Sequence, residues 1–286
     1  SFALISVMLG IGLVVAAFGL WLMLPEAANG SGFGVPKEVV LVLVVTATVV
    51  ILKMLPGSIG ESLTRQYQIF NNKHTWVMSV IYTMTFGSFI GFAASFPLAI
   101  KVIFGYSHVM VDGVMTHDTI NPNGPSALMY AWMGPFIGAL IRPLGGWISD
   151  KIGGALVTQI CSIVMIGSAL GAAYFMQEAY QSATPEEFFI PFFVLFLILF
   201  AATGIGNGST FRTIAQVFPK EQAGPVLGWT SAVAAYGAFY IPKVIGEQIQ
   251  ATTPEVALIG FAVFYGVCVL INYWFYLRKD GEFYNP

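Results

Sequence analysis

Between residues 2 and 277 the chain is a succession of apolar stretches, each about twenty residues long, separated by short polar turns. No other feature restricts its fold as much. The hydrocarbon core of a bilayer takes about 20 helical residues, and a segment inside it must satisfy every backbone N–H and C=O internally. A water-soluble core has no need of such runs repeated along its whole length. Hydrophobic residues make up 57% of the chain and charged ones 9%, against roughly 25% charged in soluble domains. The fold class is an all-α polytopic membrane protein.

Eight spans can be drawn, at 2–24, 35–55, 76–104, 126–148, 155–176, 188–217, 225–246 and 256–277. The segment between the second and third carries Arg65 and Lys73, and it is the longest polar connection with more than one basic residue. It reads as an inter-domain linker, dividing the chain into 1–55, 56–75 and 76–286. Lysines and arginines in the short loops set the orientation. Lys53, Arg65, Lys73, Lys151, Lys220, Arg278 and Lys279 collect on one side; Lys37, Lys101 and Lys243 lie on the other. The first side is expected to face the cytoplasm, which puts both chain ends there and the protein in the plasma (inner) membrane. No basic n-region or cleavage site precedes the first span, so no signal peptide is expected. The start at Ser1, without a methionine, reads as a piece of something longer.

Several functions are disfavoured by what the chain lacks. A net charge of −2 offers no basic surface to nucleic acid. Cys161 and Cys268 lie inside apolar spans and read as small buried hydrophobes, while His74, His108 and His117 fall in loops without ligand spacing, so neither metal nor cofactor is expected. Gly204-Ile205-Gly206-Asn207-Gly208 lacks the GxGxxG spacing and sits within an apolar span with no strand before it. The spans hold no HExxH motif, paired aspartates or serine–lysine arrangement, so an enzyme is not expected.

The polar residues that remain inside the spans point to an anion. No Asp or Glu lies deep in any span, although a cation carrier or carboxylate proton relay would be expected to need one. Arg142 stands in the fourth span, where a charge costs about 2.5–3.5 kcal/mol at the helix centre. Gly134, Gly138, Gly145 and Gly146 occupy its i−8, i−4, i+3 and i+4 positions, a stripe on which another helix can pack closely. That stripe favours an inward-facing arginine. The alternative is an arginine about 9 Å from the span's end that snorkels to the headgroups. For Arg212, about one turn from the interface, snorkelling is the stronger reading. Tyr82 and Phe86 are four residues apart beside the Gly87/Gly91 line; core packing suits Phe86, whereas a buried Tyr82 phenol needs a partner. The small residues of the sixth and seventh spans, Gly206 and Ser231 among them, mainly serve packing, yet exposed backbone N–H groups there, with Ser231 and Asn207, could help to hold an anion. Asp150 and Lys151 follow the fourth span at a turn. Asp150 can cap the next helix or pair with a neighbouring basic residue, and a gating role is expected of the two.

At these residues the chain takes on a family likeness. Gly146-Trp147-Ile148-Ser149-Asp150-Lys151-Ile152-Gly153-Gly154 resembles the cytoplasmic motif that joins spans eight and nine in the major facilitator superfamily. Three further segments resemble its nitrate/nitrite porters. They are Thr85-Phe86-Gly87-Ser88-Phe89-Ile90-Gly91-Phe92, then Gly134-Pro135-Phe136-Ile137-Gly138-Ala139-Leu140-Ile141-Arg142, then Gly206-Asn207-Gly208-Ser209-Thr210-Phe211 with the glycine/alanine segment 228–242. The resemblance implies that the eight spans are numbers five to twelve of a twelve-helix carrier, with 56–75 the loop between its six-helix halves. It implies alternating-access transport or exchange of nitrate and nitrite, the planar anion lying between two facing arginines. Arg142 matches one of these, and Tyr82 and Phe86 match aromatic residues of the seventh span. The partner arginine belongs to a span preceding this segment, which then carries half a site. Other small anions such as formate, and a non-transporting scaffold, are the rival readings.

Overall fold

The computed structural model describes residues 2–23, 34–54, 66–112, 114–116 and 119–286. They form two compact units, Ser1–Asn71 and Asn72–Pro286.

The first unit is built on α1 (Phe2–Met23) and α2 (Lys37–Met54). They pack where Gly19 on α1 leaves room for the side chains of Val40 and Val44. Leu13, Val14 and Val42 remain exposed, as lipid-facing residues do. Within the unit, Leu9–Leu22 and Val42–Ile51 are apolar helical stretches shorter than a full span.

Among the described residues, five helical rods are long and apolar enough to cross a membrane, and all belong to the second unit: Lys73–Phe104, Ala127–Ile152, Gly154–Gln181, Pro185–Val217 and Glu255–Leu277. The first rod is α3 (Lys73–Tyr82), a π-helical turn (Thr83–Gly87), α4 (Ser88–Ala99) and a second π turn (Ile100–Phe104). The second consists of α5 (Ala127–Tyr130), α6 (Met133–Leu140) and α7 (Arg142–Ile152). Helices α8 (Gly154–Gln181) and α9 (Phe189–Val217) follow, then α10 (Lys220–Ala235), α11 (Gly237–Gln250) and α12 (Glu255–Asn272), which ends in a third π turn (Tyr273–Leu277).

Four expectations need correction. The span drawn at 126–148 is interrupted directly before Arg142: Pro143 has no N–H and its ring clashes with the carbonyl four residues back, so α6 stops at Leu140 and α7 starts afresh. The span drawn at 225–246 is two helices meeting at Tyr236, where Gly237 presses on the Gly87 carbonyl and Gly91 on that of Gly237. His74, read as a loop residue, lies in the first turn of α3, which Asn72 caps by accepting from His74 N–H at 2.9 Å. In the segment 105–125, read as a loop, the strands β1 (Val109–Val111) and β2 (Val114–Thr116) pair as an antiparallel hairpin. Beyond the hairpin, Gly124 N–H donates to the Asn121 carbonyl and closes a turn. His117 and Asp118 lie outside the described residues.

The core of the second unit changes character along α9. Its N-terminal half packs by rings against the first rod, with Phe96 stacked on Phe196 at 4.5 Å and Phe104 against Phe192 at 4.8 Å. In lipid no hydrophobic drive brings helices together, so dense van der Waals contact and ring geometry must hold them. Past Phe200 the rings give way to glycine, and α9 closes on the second rod by backbone approach. Gly204 meets the Gly138 carbonyl, Gly145 meets that of Ile205, and Gly208 meets that of Arg142. The stripe read from the sequence is therefore the seam on which the arginine helix lies.

Candidate substrate-binding site

Arg142 is the first residue of α7, just past the break that Pro143 enforces. From there its guanidinium reaches the first rod, with Cζ 4.1 Å from the ring centre of Phe89 and 5.4 Å from that of Phe86. The side chain thus runs toward the first rod, inside the helix bundle. Ring faces carry negative quadrupole, and such contacts stabilise a cation by about 0.5–2 kcal/mol without supplying a hydrogen-bond acceptor. Nε of Arg142 is buried and has no hydrogen-bond partner, and among the described residues no carboxylate pairs with the guanidinium. A desolvated donor without an acceptor is costly, and in a native structure it calls for an explanation, a bound ion or water among them.

The neighbouring elements add to this surface. Tyr82 and Phe86 flank the π turn with ring centres 5.4 Å apart, and Tyr82 is buried. π-Helical turns are rare and concentrate at functional sites. On α9, Asn207 is buried and its amide Nδ2 also lacks a partner. Gly206 lies against the methyl group of Thr85, and its carbonyl accepts from the Thr210 hydroxyl at 2.9 Å. Thr210 in turn meets the Thr85 hydroxyl at 3.3 Å, which ties the π turn to the Asn207 segment. Ser231 is half-buried on α10, and no hydrogen bond or ring contact joins it to Arg142. The structure therefore joins Arg142, Phe86 and Tyr82 through ring contacts and puts Asn207 and Gly206 on the helix that carries the glycine seam. Phe89, the closest ring to Arg142, was not singled out; its place three residues after Phe86 on the glycine-lined face was the signal available. A largely apolar cavity of about 450 Å³, lined in part by Gly87, Tyr240, Ile241 and Phe261, does not include Arg142.

Eight residues further along α7, Asp150 accepts from Arg212 Nε at 3.2 Å. Of the two roles open to Asp150, the structure selects the ion pair. Arg212 accordingly does not snorkel freely, and its Nη1 is buried without a partner. Lys151 places Nζ 3.5 Å over the Trp147 ring. The N-terminus of α8 is capped from the far end of the chain: Gly154 N–H donates to the Pro286 carbonyl, and Leu156 N–H to Asn285 Oδ1.

Against this geometry, comparison with known proteins is specific. The family model described as Major Facilitator Superfamily matches residues 1–242. The chain belongs to the major facilitator superfamily. Among curated relatives of this superfamily chain, it is 39% identical over 82% of its length to a Thermus thermophilus protein named "Probable nitrate/nitrite antiporter NarK2", covering 48% of that protein. It is 34% identical over 78% of its length to the nitrate/nitrite transporter NarU of Escherichia coli K12, covering 48% of it. It is 26% identical over 92% of its length to the nitrite extrusion protein of Bacillus subtilis, covering 61%. The chain thus spans about half the length of the first two. Membership, together with the five apolar rods among the described residues, makes it part of a multi-pass membrane protein of a transporter family.

Proposed function

We propose that this chain is the part of a nitrate/nitrite carrier that holds one side of its anion site, with Arg142 the principal ligand. The observation that carries the reading is the pair of buried, unpartnered donors, Arg142 Nε and Asn207 Nδ2. They accompany ring faces that stabilise the cation and leave its donors free. Guanidinium presents a planar fork of N–H groups, and nitrate and nitrite present planar oxygens that match it. The names carried by the similar proteins support that substrate class.

A mechanism follows from the charge. With no acid beside it among the described residues, Arg142 leaves an uncompensated positive site that an anion neutralises. Binding then favours closure of the carrier around the anion, and an empty site resists it, a property suited to exchange. An arginine from the preceding half would complete the clamp, with α1 and α2 as that half's last two spans, 56–75 as the central loop and 76–286 as the second half. The end of the bundle carrying Lys73, Lys151 and Arg212 would face the cytoplasm, in the inner membrane. Asp150 and Lys151 would act there as gating residues, the Asp150–Arg212 pair forming and breaking with the state of the carrier.

The test is counterflow. Proteoliposomes holding the complete carrier and loaded with nitrite should take up labelled nitrate faster than empty ones, and external formate should compete poorly. Equal competition by formate would move the assignment to another small anion. No uptake under either gradient would end the transport reading.

A further inference from the structure

The end of the chain is built into the bundle at three places. The first is the start of the first rod. Glu282 accepts from Lys73 Nζ at 2.7 Å and from His74 Nε2 at 3.2 Å. His74 is itself 2% exposed, has Nδ1 3.0 Å from the Tyr276 hydroxyl, and meets the Phe283 ring edge-on at 5.0 Å. The second is the end of the last rod, where Asn285 N–H donates to the Tyr276 carbonyl at 2.7 Å. The third is the turn between α7 and α8. Here the Asn285 amide spans two helix ends, donating from Nδ2 to the Ile152 carbonyl at 2.7 Å and accepting from Leu156 N–H at 2.9 Å. Gly154 N–H donates to the Pro286 carbonyl at 2.7 Å. These are the groups that a helix end leaves unsatisfied, supplied from more than a hundred residues away.

The seat for this contact is specific. Gly153 has φ +91°, a region that disfavours any side chain, and a Cβ there would strike the Asn285 amide. Asn285 itself has φ +47°, a left-handed conformation that asparagine tolerates better than most residues. Two residues before Ile152 stands Asp150, paired with Arg212 on α9; one residue after Gly153, Gly154 packs on Thr213 beside that arginine. With Asp150 68% exposed, the ion pair is too open to the solvent to hold the turn by itself. The asparagine that clasps the turn sets where Asp150 can stand.

We propose that residues 278–286 form a strap whose Asn285 is a positioning residue for transport: by fixing the α7–α8 turn it aligns the Asp150–Arg212 pair. The inference rests on the transport reading above, and its test separates the two. In the complete carrier, Asn285→Ala should slow nitrate/nitrite exchange about as much as Asp150→Asn does, and the double variant should be no slower than the worse single one, because both changes disable one unit. Equilibrium nitrate binding should stay within about twofold of wild type, since Arg142 is untouched. Asn285→Asp retains an acceptor for Leu156 N–H and loses the donor to Ile152, so it should fall between the two and guards against a variant that merely fails to fold. Amide exchange at Gly154 and Leu156 should quicken in Asn285→Ala whether or not the protein moves nitrate. Multiplying losses in the double variant would overturn the coupling to Asp150, and unchanged amide exchange would overturn the strap itself. A wild-type protein that neither binds nor exchanges nitrate, found alongside faster amide exchange in Asn285→Ala, would refute the transport reading and keep the strap.

Discussion

Replacing Arg142 by lysine separates an anion fork from a simple positive charge. Nε is the nitrogen buried without a partner, and an anion that takes it together with one Nη would use the side-on fork, which suits two oxygens of one planar anion. Lysine keeps the charge and much of the attraction to the rings at 4.1 and 5.4 Å, so those contacts do not discriminate. What it loses is the second parallel bond. A hydrogen bond to a charged group contributes about 1.5–3 kcal/mol, which corresponds to roughly ten- to a hundred-and-fifty-fold in affinity. Titration calorimetry of the purified complete carrier should therefore show the nitrate Kd raised by that factor in Arg142→Lys, with exchange in proteoliposomes falling in parallel. Near wild-type elution on size exclusion and an unchanged helical circular dichroism spectrum would show that the protein still folds. A Kd within threefold of wild type would refute the fork, because a point charge would then do the same work.

Four further outcomes follow from the geometry. Gly208→Ala would drive a Cβ into the Arg142 carbonyl and should cost about 1–3 kcal/mol of stability, lowering the melting temperature, whereas Gly260→Ala, which meets nothing within 4 Å, should not; equal melting would argue against the seam. Asp150→Asn should slow exchange several-fold with little change in nitrate affinity, and a large loss of binding would place Asp150 in the site instead. Lys73 first, then His74, hold the Glu282 carboxylate below its ordinary pKa, so its contribution is present above the unfolded value of about 4.3 and is lost as the pH falls through the lower folded value. The difference in melting temperature between wild type and Glu282→Gln should accordingly shrink below that range, and a gap constant with pH would contradict the pairing. A cysteine placed at Met110 in the hairpin should react with an impermeant maleimide added outside intact cells while one at Lys220 is spared; the reverse would invert the proposed orientation.

Much of this protein is legible in one dimension because a bilayer imposes length and composition locally. Spans of about twenty apolar residues, the lysine and arginine asymmetry, and the absence of carboxylates at depth need no knowledge of what touches what. The glycine stripe around Arg142 was also legible, since residues three and four apart share a helix face whatever lies opposite. The break before Arg142 was readable in principle from Pro143, whose missing N–H acts within its own helix.

Other features depend on partners far away in the chain, and no local pattern carries them. The π turn at Thr83–Gly87 arises where the first rod passes Gly237 of α11 and Thr210 of α9. Asp150 had two local options, and only the position of Arg212, 62 residues on, chose between them. His74 looked like a loop residue until Tyr276, 202 residues away, and Glu282 closed around its ring. Residue type and helical period set which face of Arg142's helix is smooth enough for another helix; the fold alone decided that Phe89 covers the guanidinium and that Asn285 clasps the turn eleven residues beyond it, because those contacts exist only once distant segments share the same space.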